Sequence, residues 1–445
     1  MTGLDALVTE LEGLRPLRLW GSVEAVDSAT LTVRGLGPAA RRGDRLRVIP
    51  QGREPVMAEI VALRGPEATA MWFGSGDGVA VGDRAWLEGP GALRPGPGWI
   101  GRVVDAFGRP MDGRPMADGG REAPLKRPPP PPALRRGLGP RLDTGLAVFD
   151  TLLPLCQGQR VGLFAGSGVG KSTLLGQLAR GVRADVAVIG LIGERGREVR
   201  DFVEHVLGPE GLARSVVVAA TADQSPLAKR QAAWTATAVA ETFRDCGLQV
   251  LLLIDSLTRF AEAHREVALA AGEAPSLRAY PPSTAHAIAS LVERAGPGEG
   301  RQGDVTAIYS VLVAGSDMEE PVADITRGAI DGHVILERSI AERGRFPAVD
   351  VRRSVSRSLP GCATPEENAK IVEARRLIGA YEEVEPMIRT GLYQPGADPL
   401  VDRAVAAHPA LDFFTTMSLD SAAMSFAALG EALKTEPEAE GAPGG

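Results

Sequence analysis

The chain has 445 residues, 44% hydrophobic and 24% charged, which is the balance of a globular chain of about three domains and excludes a disordered or fibrous protein. Three widely spaced cysteines (Cys156, Cys246, Cys362) exclude a disulfide framework and a zinc spacing and fit a reducing cytoplasm. The net charge of −7 argues against a nucleic-acid-coating protein, no apolar run nears the ~20 residues of a membrane span, and the acidic start MTGLDALVTELEGL is unlike a signal peptide.

Taken in chain order, Leu4, Leu7, Val8, Leu11 and Leu14 share one helical face, predicting a short amphipathic helix over 4–14. It either caps the next domain or docks a partner. From Leu17 to about Leu93, short β-rich runs (Leu17–Ala25, Thr30–Val33, Arg45–Val48, Met57–Leu63, Ala68–Trp72, Arg84–Leu87) alternate with Gly, Asp and Pro turns, the pattern of a small β-barrel or sandwich. GRVVDAFGRPMDG (101–113) reads as a compact strand-and-turn unit. The loop 114–141 carries Pro128–Pro132, which could bind an SH3-like partner but is expected to be a stiff extended segment that wraps the domain surface. Residues 147–360 alternate apolar runs with helix-like stretches, as in a parallel α/β sheet with helices on both faces. Residues 365–433 are helical in texture, and 434–445 form a polar tail expected to stay disordered. The expected divisions are 1–16 (helix), 17–97 (barrel), 98–364 (α/β domain), 365–433 (helical domain) and 434–445 (tail).

Within the α/β region the strongest signal is Gly166, Ser167, Gly168, Val169, Gly170, Lys171, Ser172 and Thr173, between the apolar run Arg160–Phe164 and the helix-like Leu174–Arg180. Strand, glycine-rich loop and helix in that order form a phosphate-binding P-loop. Its glycines let backbone N–H groups turn onto phosphates, Lys171 reaches the β- and γ-phosphates, and the Ser172 hydroxyl ligates Mg²⁺. Ala165 stands where the general pattern has Gly, which is tolerable where φ stays negative. Lys171 is one of only five lysines, against 44 arginines, so a lysine in this place is unlike the rest of the basic surface. The run Val250–Ile254 ends in Asp255, a carboxylate at the tip of a buried strand and a candidate for Mg²⁺ through water. After the run Val186–Ile192 comes GERGRE (193–198), in which Glu194 suits a base that polarises water and Glu198 suits a helix start. Phe346–Asp350 reads as a loop and Ser354–Arg357 as a strand end, where Arg357 on its own is an ordinary surface charge. The five histidines are dispersed, and none stands at metal-ligand spacing.

The set GSGVGKST, GERGREV, LLLIDSLTRFAEAHREV, GEAPSLRAYPPS, ERAG, MEEPVADITRGAIDGHVILER and GRFPAVDVRRSVSR resembles the catalytic subunits of rotary ATP synthases. It is closer still to the ATPases of bacterial type III protein export, over about residues 20–430. GQRVGLFAGSGVGKSTLL and DTGLAVFDTLLP resemble the flagellar branch more than the virulence-type injectisome branch. The resemblance implies a RecA-like P-loop ATPase core, a small N-terminal β-barrel and a C-terminal helical domain, acting on ATP with Mg²⁺. It makes Glu194 the general base, Arg195 and Arg259 residues at the nucleotide, Asp255 the second residue near Mg²⁺, and Arg357 an arginine finger that enters a neighbouring subunit's site. Phe346 falls where ATP synthases carry an adenine-stacking Tyr; stacking survives that change and the hydroxyl is lost.

One chain holding both base and finger implies a homohexamer. The resemblance further implies a coiled-coil central stalk protein, a stator-like regulator at the N-terminal helix, a membrane export gate, chaperone–substrate complexes, and a cytoplasmic place at the inner-membrane export apparatus. A ring-shaped RNA translocase would need exposed aromatics and basic residues on its barrel. Trp20, Trp72, Trp86 and Trp99 are scattered and the chain is acidic, so no nucleic-acid partner is expected.

Overall fold

The computed structural model describes residues 18–116, 119, 121–276, 279–313 and 318–435. The helix expected over 4–14 and nearly all of the tail expected over 434–445 lie outside the described residues. The chain divides into two compact units: Met1–Ala92 with Asp223–Arg230 and Glu262–Thr284, and Leu93–Ala222 with Gln231–Ala261 and Ala285–Gly445.

In the first unit, strands β1 (Trp20–Val26), β2 (Thr30–Arg34), β3 (Asp44–Ile49), β4 (Val56–Arg64), β5 (Glu67–Trp72) and β6 (Arg84–Pro90) close into an antiparallel barrel in the order β1-β2-β5-β4-β3-β6. Closure leaves no unpaired edge. Every second side chain points inward: Leu31 and Val33, Leu46 and Val48, Ala58 and Ile60, Ala68, Ala70 and Trp72 are all buried. At Gly21 a Cβ would stand 2.5 Å from the Arg34 carbonyl oxygen, so β1 and β2 approach there only because the side chain is missing. Inside the same unit, Arg230 is buried and donates from Nη2 to Glu59 Oε1 at 2.9 Å, and removing either partner would leave the other charge stranded.

The second unit is built on an eight-stranded sheet. After β7 (Ala92–Leu93, two residues) come β8 (Arg102–Asp105), β9 (Ala123–Pro124, two residues), β10 (Arg160–Ala165), β11 (Val186–Glu194), β12 (Ser215–Thr221), β13 (Val250–Asp255), β14 (Val305–Leu312), β15 (Gly332–Leu336) and β16 (Val349–Ser356). The sheet order is β16-β15-β10-β14-β13-β11-β12-β8. Runs such as VVVAA and LLLI are apolar throughout because both faces of these strands are covered. On one face Ala236 of the helix α3 (Pro226–Asp245) closes on Gly190; on the other, α1 (Lys171–Gly181) contributes Leu174, Leu175 and Leu178 to the core.

Two segments take a place in the sheet that the sequence expectation did not specify. The strand-and-turn unit near 101–113 supplies β8, which extends the central sheet parallel to β12. The strand end at Ser354 belongs to β16, which runs antiparallel to β15 in an otherwise parallel sheet. The connection 337–348 holds only the five-residue helix Arg338–Glu342 and returns the chain at the same edge, so no crossover forms.

The C-terminal helices are α5 (Pro365–Arg389), α6 (Pro399–Phe414) and α7 (Ala422–Ala432), which follow α2 (Gly196–Asp201), α3 and α4 (Leu257–Ala270). A capping box starts α5. Thr364 Oγ1 accepts from the Glu367 N–H at 3.2 Å and the Glu367 carboxylate accepts from the Thr364 N–H at 2.9 Å. Leu377, Leu411, Phe414 and Leu429 join Val349 and Val351 of the sheet in one continuous core.

Candidate active site

Strand β10 ends at Ala165, the glycine-rich loop follows, and α1 begins at Lys171. Ala165 is not among the described residues of positive φ, so the loop needs no glycine there. Gly168 and Gly170 do carry positive φ (79° and 85°), which a side chain would strain. Val169 is buried and anchors the loop, while Ser167, Gly168, Ser172 and Thr173 are exposed around the mouth of the helix N-terminus. The N–H groups of this loop and the first turn of α1 are the donors that hold polyphosphate in such loops.

Two strand ends converge beside it. The Lys171 ammonium is bonded to Asp255 Oδ1 at the tip of β13, and its Nζ stands 3.8 Å from Glu194 Oε1 at the tip of β11. Asp255 is 2% exposed, and its Oδ1 also accepts from the Ser310 hydroxyl at 2.6 Å. Glu194 follows Gly193 (φ 72°), and the β11–β12 register breaks between Ile192 and Glu194. That irregularity re-aims the last side chain of the strand, as bulges beside active sites do.

Burial pushes the Glu194 carboxyl up to about 7; a hydrogen bond with Glu198 and the charge of Asp255 add to the rise, and Lys171 opposes it. Glu198, on α2 and half-exposed, is held below its ordinary range by the same hydrogen bond and by Arg195. Below about pH 7 Glu194 carries the proton of that hydrogen bond and donates it to the Glu198 carboxylate, and above it the carboxyl is free to accept one. A carboxyl with that affinity for protons is matched to general-base work near neutral pH.

The remaining sequence-identified residues fall into two places. Phe346, half-exposed, lies against the loop, its ring 3.2 Å from where a Gly170 Cβ would be. Arg259, near the start of α4, lays its stem over Gly193, where a Cβ would meet its Cγ at 3.1 Å. Arg195 is on the rim: its side chain is 82% exposed, with Nη1 at 3.5 Å from Glu198 Oε1.

Arg357 is at the other end of the sheet. Because β16 is antiparallel, Ser356 pairs with Gly332, at the start of β15, and the Arg357 N–H donates to the Asp331 carbonyl beside Arg160, the first residue of β10. The phosphate loop follows the last residue of β10, so a strand length of about 20 Å separates Arg357 from its own chain's loop.

Sequence reasoning missed three participants. Ser310 lies in a largely apolar run that also holds Thr306 and Tyr309, so its hydroxyl gave no signal of its own until the strand beside Asp255 was known. Glu198 was read as a helix start and not as the partner of Glu194. Gly193 was read only as part of a motif, and its positive φ and its contact with Arg259 need the backbone to be seen.

For a metal, Ser172 and Asp255 offer hard oxygen donors of the kind Mg²⁺ takes. No group of three or more His, Cys, Asp or Glu side chains that could hold a metal occurs among the described residues. The chemistry of this donor set fits a Mg²⁺ that arrives with substrate phosphates and is not caged by protein.

Comparison with known proteins adds to this geometry. The nucleotide-binding domain of the ATP synthase alpha/beta family matches residues 145–356, and the C-terminal domain of the type III secretion EscN ATPase matches residues 363–433. The flagellum-specific ATP synthase of Caulobacter vibrioides is 46% identical over 443 residues, 97% of this chain and 100% of that protein. That of Treponema pallidum is 47% identical over 408 residues, 90% of this chain and 89% of that protein. Among solved structures, the assembled ATPase EscN of the enteropathogenic E. coli type III secretion system superposes with a TM-score of 0.86 at 36% identity, covering 93% of this chain and 100% of EscN. EscN in complex with its central stalk EscO gives 0.84 at 37% identity, covering the same shares of the two chains.

Proposed function

Because the chain belongs to the ATP synthase alpha/beta family, in the branch of the flagellum-specific and type III secretion ATPases, we propose that it is a Mg-ATP-hydrolysing homohexameric ATPase of the flagellar protein export apparatus. The observation that carries the reading is the convergence of Lys171, Glu194 and Asp255 beside the phosphate loop. Loop N–H groups and Lys171 bind and orient the β- and γ-phosphates. As the nucleotide enters, Lys171 exchanges its Asp255 contact for phosphate oxygen, and Asp255 and Ser172 would hold Mg²⁺. That ion, when bound, neutralises charge developing on the phosphates. Glu194 orients the attacking water and takes its proton, Arg195 and Arg259 contact the phosphates, and Phe346 stacks on the base.

Arg357 serves a neighbour's site as a finger, since its own loop is a strand length away. An arginine supplied in trans is worth about 10³–10⁵ in rate by analogy with GTPases. The isolated subunit is accordingly a poor enzyme and the ring an active one. EscN's complex with a central stalk supports a coiled-coil stalk in the pore here as well. No helix among the described residues is long and apolar enough to cross a membrane; the place proposed for the ring is peripheral, on the cytoplasmic side of the export gate. There the ring receives chaperone–substrate complexes, with a stator-like regulator at the N-terminal segment.

Lys171→Ala should abolish phosphate release and weaken ATP binding, and Glu194→Gln should bind ATP while turnover falls about 10²–10⁴-fold. Wild-type turnover in either variant would refute the assignment of that residue. The second reading, an injectisome ATPase, is favoured by the EscN likeness. Filament counts separate the two. Loss of flagellar filaments on gene deletion, restored by wild type and not by Glu194→Gln, supports the flagellar reading; full filaments in the deletion strain support the other.

A further inference from the structure

Two of the three cysteines meet outside the site. Cys156 stands four residues before β10, in the segment that leads to the phosphate-loop strand, bridged to Arg141 and 1% exposed. Cys362 is partly exposed, in the short connection between β16 and α5. The Cys156 and Cys362 side chains are near enough for each to change the other's hold on its proton. Cys362 Sγ lies 3.3 Å from Ser358 Oγ, and Ser358 in turn bonds the Pro154 carbonyl, so the two connections are already laced together. The Arg141 guanidinium is fixed beside them by two bonds to Glu367, at 2.9 and 3.2 Å.

The two thiols are unequal. Cys362 is drawn down to about 6, by Cys156 first and then by Ser358 and the positive Arg141, against its burial. Cys156 is pushed up by Cys362 first and by burial. A partly exposed thiolate beside a shielded thiol is the arrangement of an attacking and a resolving cysteine.

We propose that Cys156 and Cys362 form a reversible disulfide in response to hydroperoxides, and that the bridge slows ATP turnover by tying the start of the C-terminal helices to the segment entering the phosphate-loop strand. The Cys362 thiolate attacks one oxygen of the peroxide. The O–O bond breaks, the departing hydroxide takes a proton to become water, and Cys362 is left as a sulfenic acid. The Cys156 sulfur then attacks the Cys362 sulfur, the S–O bond breaks, and a second water leaves with the Cys156 proton. Two thiols lose one electron each, and the peroxide gains both. The slowing rests on the ATPase reading above, whereas formation of the bridge does not.

The test uses the full chain carrying Cys246→Ser, because Cys246 is exposed and could crosslink copies. Hydrogen peroxide should yield a Cys156–Cys362 linked peptide by mass spectrometry and at least a fivefold fall in phosphate release, both reversed by dithiothreitol. Adding Cys362→Ser should abolish both effects. Cys156→Ser should leave a sulfenic acid on Cys362 that dimedone traps. Overoxidised Cys362 without a linked peptide would overturn the bridge, and a linked peptide with undiminished turnover would overturn the switch. Absence of turnover in the reduced protein would contradict the ATPase reading instead, while the linked peptide still decides the thiol chemistry.

Discussion

Glu194 holds its proton near neutrality because burial, Glu198 and Asp255 disfavour its charge more than Lys171 restores it. A general base works only when deprotonated, so turnover should rise with pH through about 7. Had the carboxyl kept its ordinary affinity, that limb would lie near pH 4.5. Glu198→Gln removes one of the causes of the rise. The acid limb of kcat/KM should therefore move to lower pH with the plateau retained, and an unmoved limb would mean that Glu198 does not set the proton affinity of the base. The sequence shows why Glu194 is a candidate, at the tip of a core strand and beside a P-loop. It does not show the proton shared with Glu198, which depends on where α2 starts after the bulge at Gly193. Lys171 and Asp255 were legible because each closes a strand-plus-motif pattern. Ser310 was not, because a hydroxyl shared with Thr306 and Tyr309 in one strand says nothing until the neighbouring strand is known.

Elements with one dominant pattern were read most completely. The six barrel strands follow from alternation and turns, and the core strands β11, β12 and β13 follow from unbroken apolar runs. The antiparallel β16 was not legible as such, since VDVRRSVS carries no mark of strand direction, which is set by the connection before it. The start of α5 is fixed locally by the Thr364–Glu367 capping box, and Glu367 also receives Arg141. Thr364→Ala should therefore fray the first turn of α5, at a cost of about 1 kcal/mol. Amide exchange at residues 366–368 would report it as roughly a fivefold loss of protection. Unchanged exchange there would place the anchoring of α5 in its packing and not in its cap.

On the scale of the whole molecule, the sheet separates the two halves of the chemistry. The phosphate loop, Lys171, Glu194 and Asp255 lie at the carboxyl ends of the parallel strands, where open α/β sheets bind ligands. Arg357 lies at the opposite ends, beside the first residue of β10. Long ordered motifs made the family legible in the sequence. The separation was not, because it needs the direction of β16. On the proposed roles, a chain with its base at one end of the sheet and its finger at the other completes its site through a neighbour. The most direct measurement is steady-state phosphate release from mixtures of Arg357→Ala and Glu194→Gln subunits, each nearly inactive alone. In randomly mixed rings at equal amounts, about a quarter of interfaces would join an intact Glu194 to an intact Arg357, so activity should recover to about that fraction of wild type. Mixtures that are proven to co-assemble and yet stay as inactive as either variant alone would contradict a finger supplied in trans.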